Sequence, residues 1–184
     1  MRSSIRFCLV GAGRAARVHA KSLTQYLPKA DLVAIVDPDK RALYDTAAQY
    51  GIERQFTDLE QALDEVLFEA VVIATPTFTH ASLAELAANA GKHIFMEKPM
   101  ALSIEECYVI MSAIRRNNVL FQMGFMRRFA PEFVEAAKRI QAGEIGKPMM
   151  IKSLTHGPGL PPAWARDLKT SNGNLAEVNS HDWD

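Results

Sequence analysis

The sequence predicts an α/β protein whose first part is a doubly wound parallel sheet. Short apolar runs typical of buried strands alternate with segments that repeat apolar residues at helical spacing. A glycine-rich turn follows the first run, and polar residues follow several later ones. Because strands that alternate with helices form right-handed βαβ units, these observations favour a parallel sheet with helices on both faces.

The predicted elements divide the chain near residue 124. Strands are predicted at 5–10, 32–36, 55–56, 70–74, 93–96 and 119–123, and helices near 16–27, 40–50, 58–66, 83–90 and 103–114. After residue 124 the pattern indicates a helix with Phe133 and Ile140 on one face, a strand at 148–155 and a helix from 173. We therefore expect one domain over 1–123 and an incomplete second domain over 124–184.

The composition excludes several classes of protein. The chain is 48% hydrophobic and 23% charged, as is ordinary for a globular protein with a core. Lys+Arg and Asp+Glu both number 21, and this balance gives no support for binding to nucleic acid or a membrane. Cys8 and Cys107 are predicted to be small buried apolar residues, and no metal is expected. No apolar run has the length of a signal peptide or a membrane span, so the cytoplasm is the expected location.

The glycine-rich turn is the first motif that indicates chemistry. Gly11 permits a tight turn after the first strand, and Gly13 lets the backbone approach a pyrophosphate. Ala16 replaces the third glycine of the dinucleotide fingerprint and still allows close packing. The N–H groups near Arg14 and Ala15, with the helix dipole, suit two phosphates.

Asp37 strengthens the interpretation of this turn as a dinucleotide site. It ends the second predicted strand, about twenty residues past the glycines, where a carboxylate accepts ribose hydroxyls. The alternative is that 37–39 is only a turn and helix cap. A carboxylate at this position repels a 2′-phosphate and favours NAD over NADP, and Arg41 could soften that preference.

Two further motifs follow later strands at the same predicted edge. In the first, Thr75 and Pro76 could contact the dinucleotide, and His80 is either a cofactor contact or a packed residue of a first helical turn. In the second, Glu97-Lys98-Pro99 places an ammonium at a strand end, where the proline restricts the backbone before it. The plain alternative for Lys98 is a surface lysine beside a turn.

The segment 173–184 carries a candidate acid–base pair. If it is one helix, Glu177, His181 and Asp184 lie at i, i+4 and i+7 on one face. A carboxylate one turn from an imidazole can orient it and raise its basicity. The alternative is a capped amphipathic helix with a solvated acidic face.

These motifs together resemble the Gfo/Idh/MocA oxidoreductases, the glucose–fructose oxidoreductase and inositol dehydrogenase family. The resemblance spans nearly the whole chain, and its carriers are Gly11-Ala12-Gly13-Arg14-Ala15-Ala16, Asp37, Ala74-Thr75-Pro76-Thr77 with His80, Gly91-Lys92-His93, Glu97-Lys98-Pro99, Gly124-Phe125-Met126-Arg127-Arg128-Phe129, Gly143-Glu144-Ile145-Gly146 and 173–184. The inositol-dehydrogenase-like branch is the nearest. Thr155-His156-Gly157-Pro158 departs from the Arg-Asp-Pro loop of inositol dehydrogenases, so the substrate class stays broader than inositol.

The resemblance implies an N-terminal Rossmann domain and the beginning of an α/β substrate domain with an open, mostly antiparallel sheet. It implies NAD as cofactor, a sugar or polyol as substrate and a homo-oligomer formed through the second domain. Lys98 would contact substrate and cofactor, and Glu97 would contact the cofactor. His181 would be the general base, with Glu177 as its partner. Met126 and Arg127 would face the nicotinamide and the substrate.

The resulting hypothesis is reversible NAD-dependent oxidation of a secondary alcohol on a sugar or polyol. Two alternatives stay open. One is a glycoside hydrolase of the same fold that uses tightly held NAD for a transient oxidation. The other is an NAD-binding sensor or scaffold without catalysis.

Overall fold

The computed structural model describes residues 4–155 and 159–184, which form two compact units. The first unit is Met1–Met123 and the second is Gly124–Asp184. Among the described residues, we find no helix with both the length and the apolar character needed to cross a membrane.

Within residues 4–123 the structure forms one parallel sheet. Its strands are β1 (Ile5–Val10), β2 (Ala30–Val36), β3 (Arg54–Phe56), β4 (Ala70–Ile73), β5 (His93–Met96) and β6 (Phe121–Met123). Every pair of neighbours is parallel, in the order β3-β2-β1-β4-β5-β6. The predicted doubly wound parallel sheet is confirmed.

Five α-helices connect these strands, each near its predicted position. They are α1 (Arg14–Lys21, extended by a π-helical turn at Ser22–Tyr26), α2 (Lys40–Tyr50), α3 (Leu59–Glu65), α4 (His80–Asn89) and α5 (Ile104–Asn117). Helix α5 begins with a side-chain cap, since Ser103 Oγ accepts a hydrogen bond from Glu106 N–H at 3.2 Å. Gly91 follows α4 with φ +71°, the left-handed conformation that ends helices.

The core lies on both faces of the sheet, because neighbouring residues of each central strand point to opposite sides. In β1, Cys8 and Val10 pack with α3, α4 and α5, whereas Leu9 packs with α1 and α2. Val71 and Val72 of β4 divide in the same way. Strands buried on both faces are continuous apolar runs, which is why the sequence reveals them.

The second unit consists of short helices. They are a 3₁₀ turn at Met126–Phe129, α6 (Pro131–Gln141), α7 (Ala163–Arg166), α8 (Gly173–Glu177) and α9 (Ser180–Trp183). The predicted helix with Phe133 and Ile140 is α6, and both side chains are more than two-fifths exposed.

Two predictions for the second unit are wrong. Residues 148–155 do not form a strand, and Met149 is 88% exposed. A strand is held by hydrogen bonds to a neighbour, and no described segment of this unit pairs with it. The helix predicted from residue 173 is interrupted between α8 and α9, at Val178 and Asn179. Asn179, Ser180 and nearby acidic residues favour turns and caps over helix interiors.

Candidate functional site

The candidate site lies at the carboxyl edge of the sheet, where the central strands end side by side. Gly11 directly follows Val10, and Ala74 N–H donates to Val10 O at 2.8 Å. One strand further, Glu97 N–H donates to Ile73 O at 2.9 Å. The strand order reverses between β1 and β4, and α/β proteins bind ligands in the crevice at such a point.

Gly11 and Gly13 differ in the contacts that a side chain added at each position would make. Gly11 has φ +112°, and a Cβ built there would lie 2.4 Å from Ala74 O, so neither its conformation nor its packing suits another residue. Gly13 has φ −76° and ψ −170°. Apart from its chain neighbours and helix backbone, no atom of the described residues lies within 4 Å of a Cβ built on Gly13. The close approach of Ala74, which follows β4, therefore requires a glycine at position 11. At Gly13 the absent side chain leaves space that a ligand can enter.

A pocket of about 420 Å³ opens beside this turn. Its lining consists of Ala12, Gly13, Arg14, Arg17 and Ala42. Helix α1 begins at Arg14, so its unpaired N–H groups and two guanidinium groups make the pocket favourable for an anion. Gly13 and Arg14 belong to the site predicted from the sequence, whereas Arg17, one helical turn later, does not.

A buried threonine fixes Arg17 to the glycine turn. Thr46 of α2 is 0% exposed, and its Oγ1 donates to Ala12 O at 3.2 Å. The same oxygen accepts a hydrogen bond from Arg17 Nε at 3.1 Å. No local sequence pattern predicts these two hydrogen bonds, because Thr46 is one polar residue within an amphipathic helix.

Asp37 is fixed against the glycine turn. Its Oδ2 accepts from Ala12 N–H at 2.6 Å, and its Oδ1 accepts from Asp39 N–H at 2.8 Å. The helix cap is Asp39, which accepts from Arg41 N–H at 2.9 Å. Each carboxylate oxygen has a further acceptor site, and Asp37 is partly exposed, so this carboxylate can also receive hydroxyl groups. Arg41 lies exposed in the first turn of α2.

The segment after β4 contains partly exposed residues and one buried histidine. Thr75 and Pro76 are partly exposed at the sheet edge, but His80 is 0% exposed. Its Nδ1 lies 2.8 Å from Pro99 O, and its Nε2 lies 3.0 Å from Thr75 O. An imidazole enclosed between two main-chain carbonyls joins the two loops. This geometry favours the packed alternative for His80, and a contact with the cofactor stays a prediction. Thr79 is the residue before α4, and its Oγ1 donates to Pro76 O at 2.8 Å instead of accepting from an N–H of the helix.

The Glu97-Lys98-Pro99 segment follows β5 at the same edge, with a cis peptide bond before Pro99. Lys98 is partly exposed. Glu97 is paired with His19 of α1, whose Nε2 lies 2.8 Å from Glu97 Oε1. Burial of Glu97 raises its pKa. The hydrogen bond and charge of His19, together with Lys98, lower the pKa by more than burial raises it, so it lies below its ordinary value. His19 lies outside the site predicted from the sequence.

In the second unit, Arg127 belongs to a polar cluster. It is ion-paired with Asp182 and donates to Thr155 Oγ1 at 3.3 Å. Thr155 and Asn179 also donate to Asp182, at 3.0 and 2.9 Å. The hydrogen bond from Arg127, with those from Asn179, Ser153 and Thr155, holds the pKa of Asp182 far below its usual range. Arg127 is thus fixed by its own unit.

The predicted acid–base pair does not share one helix. Glu177 ends α8 and His181 lies in α9, so the i, i+4 relation of a continuous helix is not formed. Asp184 instead accepts from Arg128 Nε at 2.7 Å. The His181 ring packs edge-on against Phe125, with 6.4 Å between centroids. Met126 is 69% exposed.

Lys98 belongs to the first unit, and His181 and Glu177 belong to the second, so a site that they share stays a prediction. Within residues 4–155 and 159–184 we find no group of three or more His, Cys, Asp or Glu residues arranged to hold a metal. The departure at 156–158 lies outside the described residues.

The parallel sheet and the glycine turn at its carboxyl edge define a dinucleotide-binding α/β protein. Comparison with known proteins gives its family. Residues 5–125 match the family model described as "Oxidoreductase family, NAD-binding Rossmann fold". The chain belongs to this family, the Gfo/Idh/MocA oxidoreductases.

The similar proteins include several named for inositol dehydrogenation. The scyllo-inositol 2-dehydrogenase (NAD(+)) of Bacillus subtilis strain 168 is 40% identical over 184 residues, which cover 100% of this chain and 53% of that protein. A putative myo-inositol dehydrogenase from Sinorhizobium meliloti 1021 has a crystal structure that matches with TM-score 0.86 at 36% identity, covering 98% of this chain and 53% of its own.

A third similar protein is the scyllo-inositol dehydrogenase from Lactobacillus casei, solved with NAD(H) and scyllo-inositol bound. It matches with TM-score 0.74 at 33% identity, covering 78% of this chain and 43% of its own. The chain spans about half the length of the curated relatives that it matches.

Proposed function

We propose that this chain is the cofactor-binding half of an NAD-dependent dehydrogenase acting on a secondary alcohol of inositol, another polyol or a sugar. The observation that carries the proposal is the edge of the sheet: the open side of Gly13, the pocket with Arg14 and the Asp37 carboxylate meet there. The family supports the cofactor, and the relatives named for inositol dehydrogenation support the substrate class.

The proposed cofactor is NAD. Gly13 and the N–H groups of Arg14 and Ala15, where α1 begins, would hold its pyrophosphate. Asp37 accepts the adenosine ribose hydroxyls and repels a 2′-phosphate, with Arg41 nearby on α2. Thr75, Pro76, Glu97 and Lys98 lie along the same edge toward the nicotinamide.

The proposed chemistry divides between two groups. NAD, when bound, would accept a hydride from the carbinol carbon, and His181 would take the hydroxyl proton. Lys98 as an ammonium stabilises the negative charge that develops on the oxygen. Glu177 orients the imidazole, and Met126 and Arg127 line the substrate side. In this proposal 1–123 is the cofactor domain, and 124–184 begins a substrate domain through which the protein forms a homo-oligomer in the cytoplasm.

The test is an NADH-absorbance screen of the complete protein against inositols, aldoses and sugar acids, with NAD and NADP in parallel. We expect NAD reduction with at least one polyol or sugar. His181→Ala should lower kcat/KM by about 10²–10⁴. Lys147→Ala, which alters an exposed lysine of the same unit, serves as the control and should retain full activity.

Other outcomes of the screen contradict the proposal in distinct ways. Hydrolysis of a glycoside without net NADH indicates the glycosidase alternative. NAD binding without turnover across the whole panel indicates a sensor or scaffold. Near-normal turnover in His181→Ala removes that residue from the chemistry.

A further inference from the structure

Arg17 lines the anion pocket from the second turn of α1. The pocket has Arg14 and Arg17 in its lining, and its other lining residues, Ala12, Gly13 and Ala42, are uncharged. Among the described residues, neither arginine forms an ion pair with a carboxylate. Two cations that are not paired within the protein therefore line one space, which favours an anionic ligand there.

The side chain of Arg17 reaches back to the glycine turn. Side chains of an α-helix point toward its N-terminus, so a long side chain in the second turn lies over the first. Arg17 Nε donates to Thr46 Oγ1 at 3.1 Å, and the same hydroxyl donates to Ala12 O at 3.2 Å. Ala12 lies between the two glycines of the turn. The guanidinium therefore lies level with the start of α1, although its backbone is one turn further along.

Thr46 determines which donors of Arg17 remain for a ligand. A hydroxyl has a single proton, which Thr46 donates to Ala12 O, so a lone pair of Thr46 Oγ1 receives the proton of Arg17 Nε. Thr46 is 0% exposed, so water does not compete for this contact. The N–H groups on the two terminal nitrogens of Arg17 are not used by Thr46, and their fork matches two oxygens of a phosphate.

We propose that Arg17 is a further cofactor-binding residue, whose terminal nitrogens would donate to the pyrophosphate of NAD, and that Thr46 positions it. This inference rests on the proposed placement of the pyrophosphate beside Gly13. The pyrophosphate is favoured over a 2′-phosphate because the pocket is lined by the glycine turn, α1 and Ala42, whereas the ribose hydroxyls are assigned to Asp37. A guanidinium that is already held in place loses less conformational freedom when it binds.

Titration calorimetry of the complete protein with NAD and NADP tests the role of Arg17. Arg17→Ala should raise Kd for NAD about ten-fold, because a hydrogen bond to a charged group is lost. Kd for NADP should rise by the same factor, since both cofactors carry the pyrophosphate. Arg17→Lys keeps the charge but not the forked donors or the contact with Thr46, and should recover only part of the loss.

A double-mutant cycle tests the positioning role of Thr46. Thr46→Val replaces the hydroxyl with a methyl group and should raise Kd for NAD by about three-fold or more. Thr46→Ser keeps the oxygen and should bind NAD within about two-fold of the wild type. In a protein that already carries Arg17→Ala, Thr46→Val should not change Kd further, because no guanidinium remains to be positioned. A general loss of packing would weaken binding in both backgrounds.

A matched control removes a different cation from the same helix. Lys21 is exposed near the end of α1, outside the pocket lining, with its ammonium 5.6 Å from the centroid of the Tyr26 ring. Lys21→Ala should leave Kd for NAD within about two-fold of the wild-type value, since an exposed charge away from the ligand is screened by salt. Melting temperatures of all variants show whether weaker binding reflects loss of folded protein.

The results separate this inference from the function on which it rests. If the wild-type protein binds neither NAD nor NADP, the proposed function fails. If the wild-type protein binds NAD and both Arg17 variants bind it equally tightly, the role of Arg17 is wrong and the function stands. If only NADP binding is weakened, Arg17 serves a 2′-phosphate and the assignment to the pyrophosphate is overturned. If Thr46→Val weakens binding equally with and without Arg17, the positioning role is overturned.

Discussion

Alanine substitutions at Gly11 and Gly13 should separate packing of the glycine turn from binding of the cofactor. The two positions are two residues apart, and the same methyl group is added at each. At Gly11 that methyl would lie 2.4 Å from Ala74 O, on a backbone with φ +112°. At Gly13 it would enter open space, on a backbone conformation that any residue adopts.

The expected magnitudes follow from these contacts. Overpacking against the backbone costs about 1–3 kcal/mol, and the left-handed conformation costs about 1–3 kcal/mol more for a non-glycine residue. Gly11→Ala should therefore lower the free energy of unfolding by about 2–6 kcal/mol, a large share of the roughly 5–15 kcal/mol that stabilises a typical domain. Gly13→Ala should change it by less than about 1 kcal/mol, because the methyl meets nothing and only the helix cap is altered.

Binding of NAD should respond in the opposite order. The methyl at Gly13 occupies the space that the pyrophosphate is proposed to use, so Kd for NAD should rise at least ten-fold, which is about 1.4 kcal/mol. Urea unfolding monitored by circular dichroism gives the stabilities, and titration calorimetry gives Kd. A Gly13→Ala protein that binds NAD as tightly as the wild type would refute the placement of the pyrophosphate. A fully stable Gly11→Ala protein would refute the packing argument.

Three more predictions concern other residues of the edge. Asp37→Ser should weaken NAD binding and narrow the preference for NAD over NADP, measured as the ratio of their Kd values; an unchanged ratio contradicts the ribose assignment. His80→Leu leaves two buried carbonyls without the imidazole and should lower the free energy of unfolding by about 1–3 kcal/mol, measured by urea unfolding; equal stability contradicts the bridging role. The pKa of Glu97 lies below its ordinary value of 4.5 in the folded protein, so the unfolded chain takes up the proton first. The stability contributed by this carboxylate is complete above pH 4.5 and is lost as pH falls through the folded pKa. Glu97→Gln should therefore reduce the acid sensitivity of the melting temperature, and an unaltered pH profile contradicts the pairing with His19.

The fold of the first unit was predictable because its physical signals are local. Strands such as Ala70–Ile73 are buried on both faces and appear as unbroken apolar runs. The helices between them repeat their small and apolar residues at helical spacing. The glycine turn and Asp37 could be placed from the same signals, since both follow strand ends that meet at one edge of a parallel sheet.

The residues that sequence reasoning missed act over long separations. In the sequence, the pattern around His19, Arg17 and Thr46 is that of ordinary amphipathic helices. Their partners become neighbours only after the sheet has formed. For His80 the sequence left two alternatives open, and burial of its side chain favours the packed one. The strand predicted at 148–155 fails for a related reason, since a strand requires a hydrogen-bonded neighbour that its own sequence does not specify.

The central claim, that Lys98 serves hydride transfer on an NAD-binding edge, is tested most directly by single-turnover kinetics of the complete protein. NADH formation is followed after mixing the wild-type protein or Lys98→Ala with NAD and substrate, with Kd for NAD measured on both. We predict a loss of about 10²-fold or more in the rate of NADH formation, with Kd for NAD changed by less than about ten-fold. A Lys98→Ala protein that forms NADH at the wild-type rate would contradict the account.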